Sequence, residues 1–185
     1  REYVQNSYDS ICSARTHGLL KANGGVVTVA ISGSSKKPTL TITDDGEGIA
    51  ADLAVSTLVS VGASRKRSTM NAGFRGIGRL AGIAYCTTLR FTTTHKGEDK
   101  ETIVEFDCGR MRSYMRPGAE VQEVREVIRL CTRNETRAAP ADSHGMQVEM
   151  VGLVGVGLEF VEIDELIPYL RQVAPVDYSD RYTFA

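Results

Sequence analysis

A chain of 185 residues, 42% hydrophobic and 24% charged with a formal net charge of -1, is long enough to bury one core without metal or disulfide help. The balance excludes a polybasic nucleic-acid surface and leaves "SRKRS" as a local basic run. Four cysteines, Cys12, Cys86, Cys108 and Cys131, stand far apart with no CxxC pair, which excludes a zinc or disulfide framework and fits reduced thiols in a cytoplasmic protein.

The first residues, "REYVQNSYDSIC", predict a helix in which Val4, Tyr8, Ile11 and Cys12 gather on an apolar face while Glu2, Asn6 and Asp9 form a polar stripe. With a helix at residue 1 and no initiator Met, a longer parent chain is expected, and neither a secretory signal nor a bilayer-length apolar stretch is present in the sequence. "VVTVAIS" and "PTLTITDD" read as a β-hairpin around "GSSKKP", and "ADLAVSTLVSVG" reads as a helix through Leu53, Leu58 and Val61. "SRKRSTMNAGFRGIG" reads as a basic, then glycine-rich loop that leads into a helix, "RLAGIAYC". "TTLRFTTTH" and "ETIVEFDC" form a second hairpin through "KGED". "VQEVREVIRL" reads as a strand, with a helix as the alternative, and "RNETRAAPADSHG" as a loop. "MQVEMVGL" is another strand, and "VEIDELIPYLRQV" a closing helix with Glu162 or Asp164 near its start. "PVDYSDRYTF" looks like the start of a following segment. This order predicts an α/β layer on a largely antiparallel sheet instead of alternating βαβ units.

Three stretches carry candidate chemistry. The Glu2, Asn6, Asp9 stripe, read alone, is compatible with a solvated face. In "TDDGEGIA" a strand ends on Asp44, and Gly46 and Gly48 follow without side chains, which suits the close approach of a flat ligand and equally suits a plain turn. In "GFRGIGRLAG" Gly73, Gly76 and Gly78 precede a helix, where free N–H groups and the helix dipole attract phosphate. No GK[ST] follows and no strand precedes, so this is neither a Walker loop nor a dinucleotide fingerprint. His17, His95 and His144 look scattered, and Tyr8 and Phe74 look like packing residues.

Together, "ExxxNxxD" on a helix, "DxGxG" after a strand and "GxxGxG" before a helix resemble the ATP-binding domain shared by DNA gyrase B, heat-shock protein 90, sensor histidine kinases and the MutL mismatch-repair proteins. The resemblance spans residues 1–151. It implies a two-layer α/β sandwich with a mixed, mostly antiparallel sheet and helices on one face, divided as an ATP-binding domain over 1–160 and a closing helix with a following segment over 161–185. It implies that Glu2 is the general base toward the attacking water, that Asn6 is the Mg²⁺ ligand, and that Asp9 completes the helix motif near the nucleotide. Asp44 would take the adenine exocyclic amine beside Gly46 and Gly48, while Gly73, Gly76, Gly78 and Arg79 would belong to the phosphate loop and its exit. Arg65, Lys66 and Arg67 are further candidates for phosphate contact.

The cofactors implied are ATP and Mg²⁺, and the partners are ATP/ADP, a downstream domain of the parent chain and a homodimer of that parent. "REYVQNSYDSI" is most similar to the heat-shock protein 90 helix, and the glycine loop to that of MutL. A departure lies in "HGMQVEM", where Met146 stands at a position the resemblance assigns to a threonine hydroxyl. The expected activity is slow ATP hydrolysis; a non-hydrolytic nucleotide-gated scaffold and a histidine kinase are the alternatives, and Glu2 favours hydrolysis.

Overall fold

The computed structural model describes residues 1–60, 78–116, 118 and 123–174. Helix α1 (Glu2–Thr16) leads into strands β1 (Val27–Ser34) and β2 (Lys37–Asp44), then α2 (Ala51–Val59). A 3₁₀ turn, Gly78–Ala84, precedes β3 (Cys86–Thr94) and β4 (Lys100–Asp107), followed by α3 (Cys108–Tyr114), α4 (Val124–Cys131) and β5 (Thr132–Ala138). The described chain closes with β6 (Gly145–Leu153), a 3₁₀ turn Gly155–Val161 and α5 (Ile163–Val173). The strands form one sheet in the order β1-β2-β6-β3-β4-β5, and every neighbouring pair is antiparallel.

Period-two alternation decides which face is covered. On the inner face the register aligns Leu40, Met150, Leu89 and Phe106 in one row, and Ile42, Val148, Phe91 and Val104 in the next. All eight are buried and share one cluster with Tyr3 and Val4 of α1, Leu58 of α2, Met111 of α3, Val127 and Ile128 of α4, and Leu166 and Leu170 of α5. Phe91 anchors it, edge-on to Phe106 at 6.0 Å and to Tyr3 at 6.1 Å. Burial of each such side chain stabilises by about 1.5–3 kcal/mol. The third inner row is polar except for Met146: Asp44, Met146, Thr93 and Thr102. On the outer face Arg90 bridges Glu105 at 2.5 Å and Glu149 at 3.2 Å, a half-exposed pairing of small energetic weight.

The two-layer α/β arrangement holds, and the sheet, expected to be mixed and mostly antiparallel, is antiparallel at every pairing among the described residues. Three local expectations are corrected. Residues 124–131 are helical, because Val124, Val127, Ile128 and Cys131 recur at i, i+3, i+4 and i+7 and three of them are buried. Residues 132–138 form an edge strand, paired to β4 by its backbone while six of its seven side chains stay exposed. "RLAGIAYC" is not an α-helix: the Gly82 N–H, which would close an α-helical bond to Gly78, donates instead to the Tyr3 hydroxyl, and β3 already begins at Cys86.

Candidate functional site

Helix α1 is fastened along its length to two glycine-bearing segments. At its first turn the Glu2 carboxylate fills the space a side chain at 78 would need, so a Cβ on Gly78 would overlap Glu2 Oε2. Tyr3, in the same turn, donates its hydroxyl proton to the Arg79 carbonyl at 2.9 Å and accepts from Gly82 N–H at 2.8 Å. Two turns on, Ser10 Oγ sits where a Cβ on Gly46 would fall, and the Gly48 N–H approaches it at 3.5 Å. Ser13 donates to Glu47 Oε2, and Glu47 Oε1 accepts from His17 Nδ1 at 2.7 Å.

Asp44 closes β2 beneath this helix and is 7% exposed. Its Oδ1 accepts the Gly46 N–H at 3.0 Å, and Ser7 and the Met146 backbone bond the same carboxylate. Burial raises its pKa above the ordinary aspartate value, and these hydrogen bonds offset only part of the rise. A carboxylate offers about four lone-pair sites, so these three bonds leave acceptor capacity for one further donor. Glu47 behaves oppositely: against a raising effect of burial, Ser13 and His17 hold it below the ordinary glutamate range.

Two further segments wall the turn. Thr93 accepts the Ile49 N–H at 2.9 Å and donates to the Gly145 carbonyl at 3.1 Å, while His144 Nδ1 donates to the Gly46 carbonyl at 2.7 Å. Glu98, from the β3–β4 loop, accepts the Ala51 N–H at 2.9 Å and so caps α2. The histidines that looked scattered therefore collect here, with His17 on Glu47, His144 on Gly46, and His95 close enough to act on Glu47 by charge.

The structure brings Glu2 and Gly78 together at one end of α1, and Asp44, Gly46 and Gly48 together under its middle. Asn6 and Glu2 are exposed, and Asp9, half-buried, accepts from Gln5 Nε2 at 3.1 Å. Gly46 and Gly48 are glycines for a reason other than an open ligand face: their missing side chains make room for Ser10 and, at φ +70° on Gly48, for the Thr94 carbonyl. Arg79 sends its guanidinium to the Ser60 carbonyl, and its buried Nε has no hydrogen-bond partner among the described residues. Burial lowers the Arg79 pKa. Gly73, Gly76, Phe74, Arg65, Lys66, Arg67 and "PVDYSDRYTF" lie outside the described residues. Among the described residues no group of three His, Cys, Asp or Glu could hold a metal, and no helix is long and apolar enough to cross a membrane.

Sequence reasoning missed Tyr3, Ser7, Ser10, Thr93, Glu98 and His144. A signal existed for the first three: Tyr3, Ser7, Ser10 and Ala14 recur at helical spacing as a face of mostly small residues, the pattern that lets a backbone approach closely.

The fold and this arrangement define an α/β domain with one antiparallel sheet and a buried carboxylate beneath its first helix. The chain belongs to the histidine kinase-, DNA gyrase B- and HSP90-like ATPase family, whose model matches residues 1–136. No curated protein matches it. Membership implies ATP binding, usually with Mg²⁺, and the residues present suit the nucleotide: Asp44 retains an acceptor for an amine, and Arg79 Nε is a buried donor without an acceptor among the described residues.

Proposed function

We propose that the chain binds Mg²⁺-ATP and hydrolyses it slowly, as the nucleotide module of a heat-shock protein 90-like chaperone or a related nucleotide-gated machine in the cytoplasm. The observation that carries this reading is the buried Asp44 carboxylate, with acceptor capacity left, beneath a helix whose first turn sets Glu2 against Gly78. Asp44 accepts the adenine exocyclic amine, with Gly46 and Gly48 shaping the turn beside the base. Glu2 takes the proton of the attacking water as the bond between the γ-phosphorus and the bridging oxygen breaks, giving ADP and phosphate. Asn6 holds the metal through its side-chain oxygen, as a site with one protein oxygen and several waters suits Mg²⁺. Mg²⁺ held there would supply charge neutralisation at the phosphates. Asp9 steadies this face of the helix through Gln5, and Gly73, Gly76, Gly78 and Arg79 contact the phosphates. The chaperone-like branch rests on "REYVQNSYDSI", and the MutL-like element on "GFRGIG". A downstream domain and a second copy of the parent are the partners we assign.

A nucleotide-gated scaffold without turnover is the second reading, favoured by the exposure of both Glu2 and Asn6. Titration with ATP by calorimetry, with and without Mg²⁺, separates these readings when paired with phosphate release. Asp44→Ala is expected to abolish binding, and Asn6→Ala to remove its Mg²⁺ dependence. Binding without phosphate release selects the scaffold, label transferred from ATP to protein selects a kinase, and absence of binding rejects all three.

A further inference from the structure

The 3₁₀ turn Gly78–Ala84 is held by a buried phenol. Tyr3 is 6% exposed, its ring packs edge-on against Phe91 in β3, and its hydroxyl is both donor to Arg79 and acceptor from Gly82. Burial pushes its pKa well above the ordinary tyrosine value, so the phenol stays protonated and keeps both roles. Glycine is required at 82 for the same reason, since a Cβ there would meet the phenol oxygen at 2.5 Å. Arg112 fixes the far end of the segment by donating to the carbonyls of Ile83 and Cys86.

We propose that Tyr3 is a positioning residue for the hydrolytic step: its hydroxyl holds the 78–84 segment in the 3₁₀ form that keeps the Gly78 backbone against the Glu2 carboxylate. The proposal rests on the nucleotide reading above and deepens it, because it assigns turnover to the first turn of α1 and adenine binding to its middle. Tyr3 touches the 78–84 segment, whereas Ser7 and Ser10 touch the Asp44–Gly48 turn. Without the phenol oxygen, the Arg79 carbonyl and the Gly82 N–H lose the group that bridges them, the Gly82 N–H is free to bond the Gly78 carbonyl, the segment relaxes toward the wider α-helical winding, and Gly78 withdraws from Glu2.

The test compares wild type, Tyr3→Phe, Gly82→Ala and the double variant for ATP affinity by calorimetry, steady-state phosphate release and amide exchange at Gly82. Tyr3→Phe is expected to slow phosphate release about tenfold while ATP affinity stays within about twofold. Amide exchange at Gly82 is expected to change at the same time. Gly82→Ala is expected to lose turnover similarly, and the double variant to be no slower than either single one, because the oxygen that the methyl group meets is gone. Should Gly82→Ala not fold, the split between turnover and affinity in Tyr3→Phe decides. Wild-type turnover in Tyr3→Phe, or affinity falling in step with rate, overturns this proposal alone. ATP bound without turnover by the wild type also overturns it and leaves the scaffold reading. No ATP binding overturns the nucleotide reading and this inference together.

Discussion

The hydroxyl of Ser7 bonds the buried carboxylate of Asp44, joining the middle of the first helix to the end of the second strand. Ser7 is itself 3% exposed, so the pair sits away from bulk water. That hydrogen bond favours the ionised carboxylate, against a burial that disfavours it.

Ser7→Ala is therefore expected to push the Asp44 pKa further up. An ionised carboxylate is the stronger acceptor for an amine, so ATP affinity should fall on acidification, and in the variant the fall should begin at higher pH. Near neutral pH the loss is expected to be about three- to tenfold, the net weight of one ordinary hydrogen bond. Dissociation constants measured from pH 5 to 8 test this, and superimposable profiles would reject it.

Asp44 also bears on stability, with a sign opposite to that of most carboxylates. Because its folded pKa is raised, its contribution is fully present below the unfolded value and is lost as pH rises through the folded one. Asp44→Asn, which cannot ionise, is expected to melt at a higher temperature than wild type at pH 7, with the gap closing as the pH is lowered. Thermal melts at several pH values measure it, and a variant less stable than wild type at pH 7 would contradict it. The same change should abolish nucleotide affinity, so stability and function would move in opposite directions at one residue.

Gly48 has no alternative residue in this frame. Its φ of +70° and the overlap that a Cβ would make with the Thr94 carbonyl act together. Gly48→Ala is expected to cost about 2 kcal/mol or more, lowering the melting temperature by about 4–8 °C. Gly97→Ala is the control, since Gly97 also has positive φ but nothing within 4 Å of an added Cβ. Calorimetric melts that rank the two equally would show that strain alone, and not the contact with Thr94, decides.

The motifs and most of the frame were legible because they rest on local periodicity. Both hairpins, α1, α2, β6 and α5 carry alternating or helical apolar patterns of their own. Helix α4 was misread because Val121 ahead of it blurred the i, i+3, i+4, i+7 set, and β5 because "TRNETRA" has no apolar side to alternate. The 78–84 turn was misread because its winding is set from outside, by the hydroxyl of Tyr3. The same holds for the site. Asp44 and its glycines stand out in sequence, whereas Ser10, Thr93 and His144 reach that turn only through contacts 38, 44 and 98 residues apart.

The position of β6 also constrains how the chain can be made. Among the described residues it is the last strand in sequence yet lies between β2 and β3, and there it alone joins the β1–β2 hairpin to the β3–β4–β5 meander. During synthesis the two halves of the sheet have no shared edge until residues 145–153 have left the ribosome. Asp44 waits for the same event, since its strand neighbour Met146 arrives with β6. Assembly must then seat one central strand between two preformed edges, a non-local step of the kind that slows folding. Until that strand arrives, those two edges are free to pair with other chains.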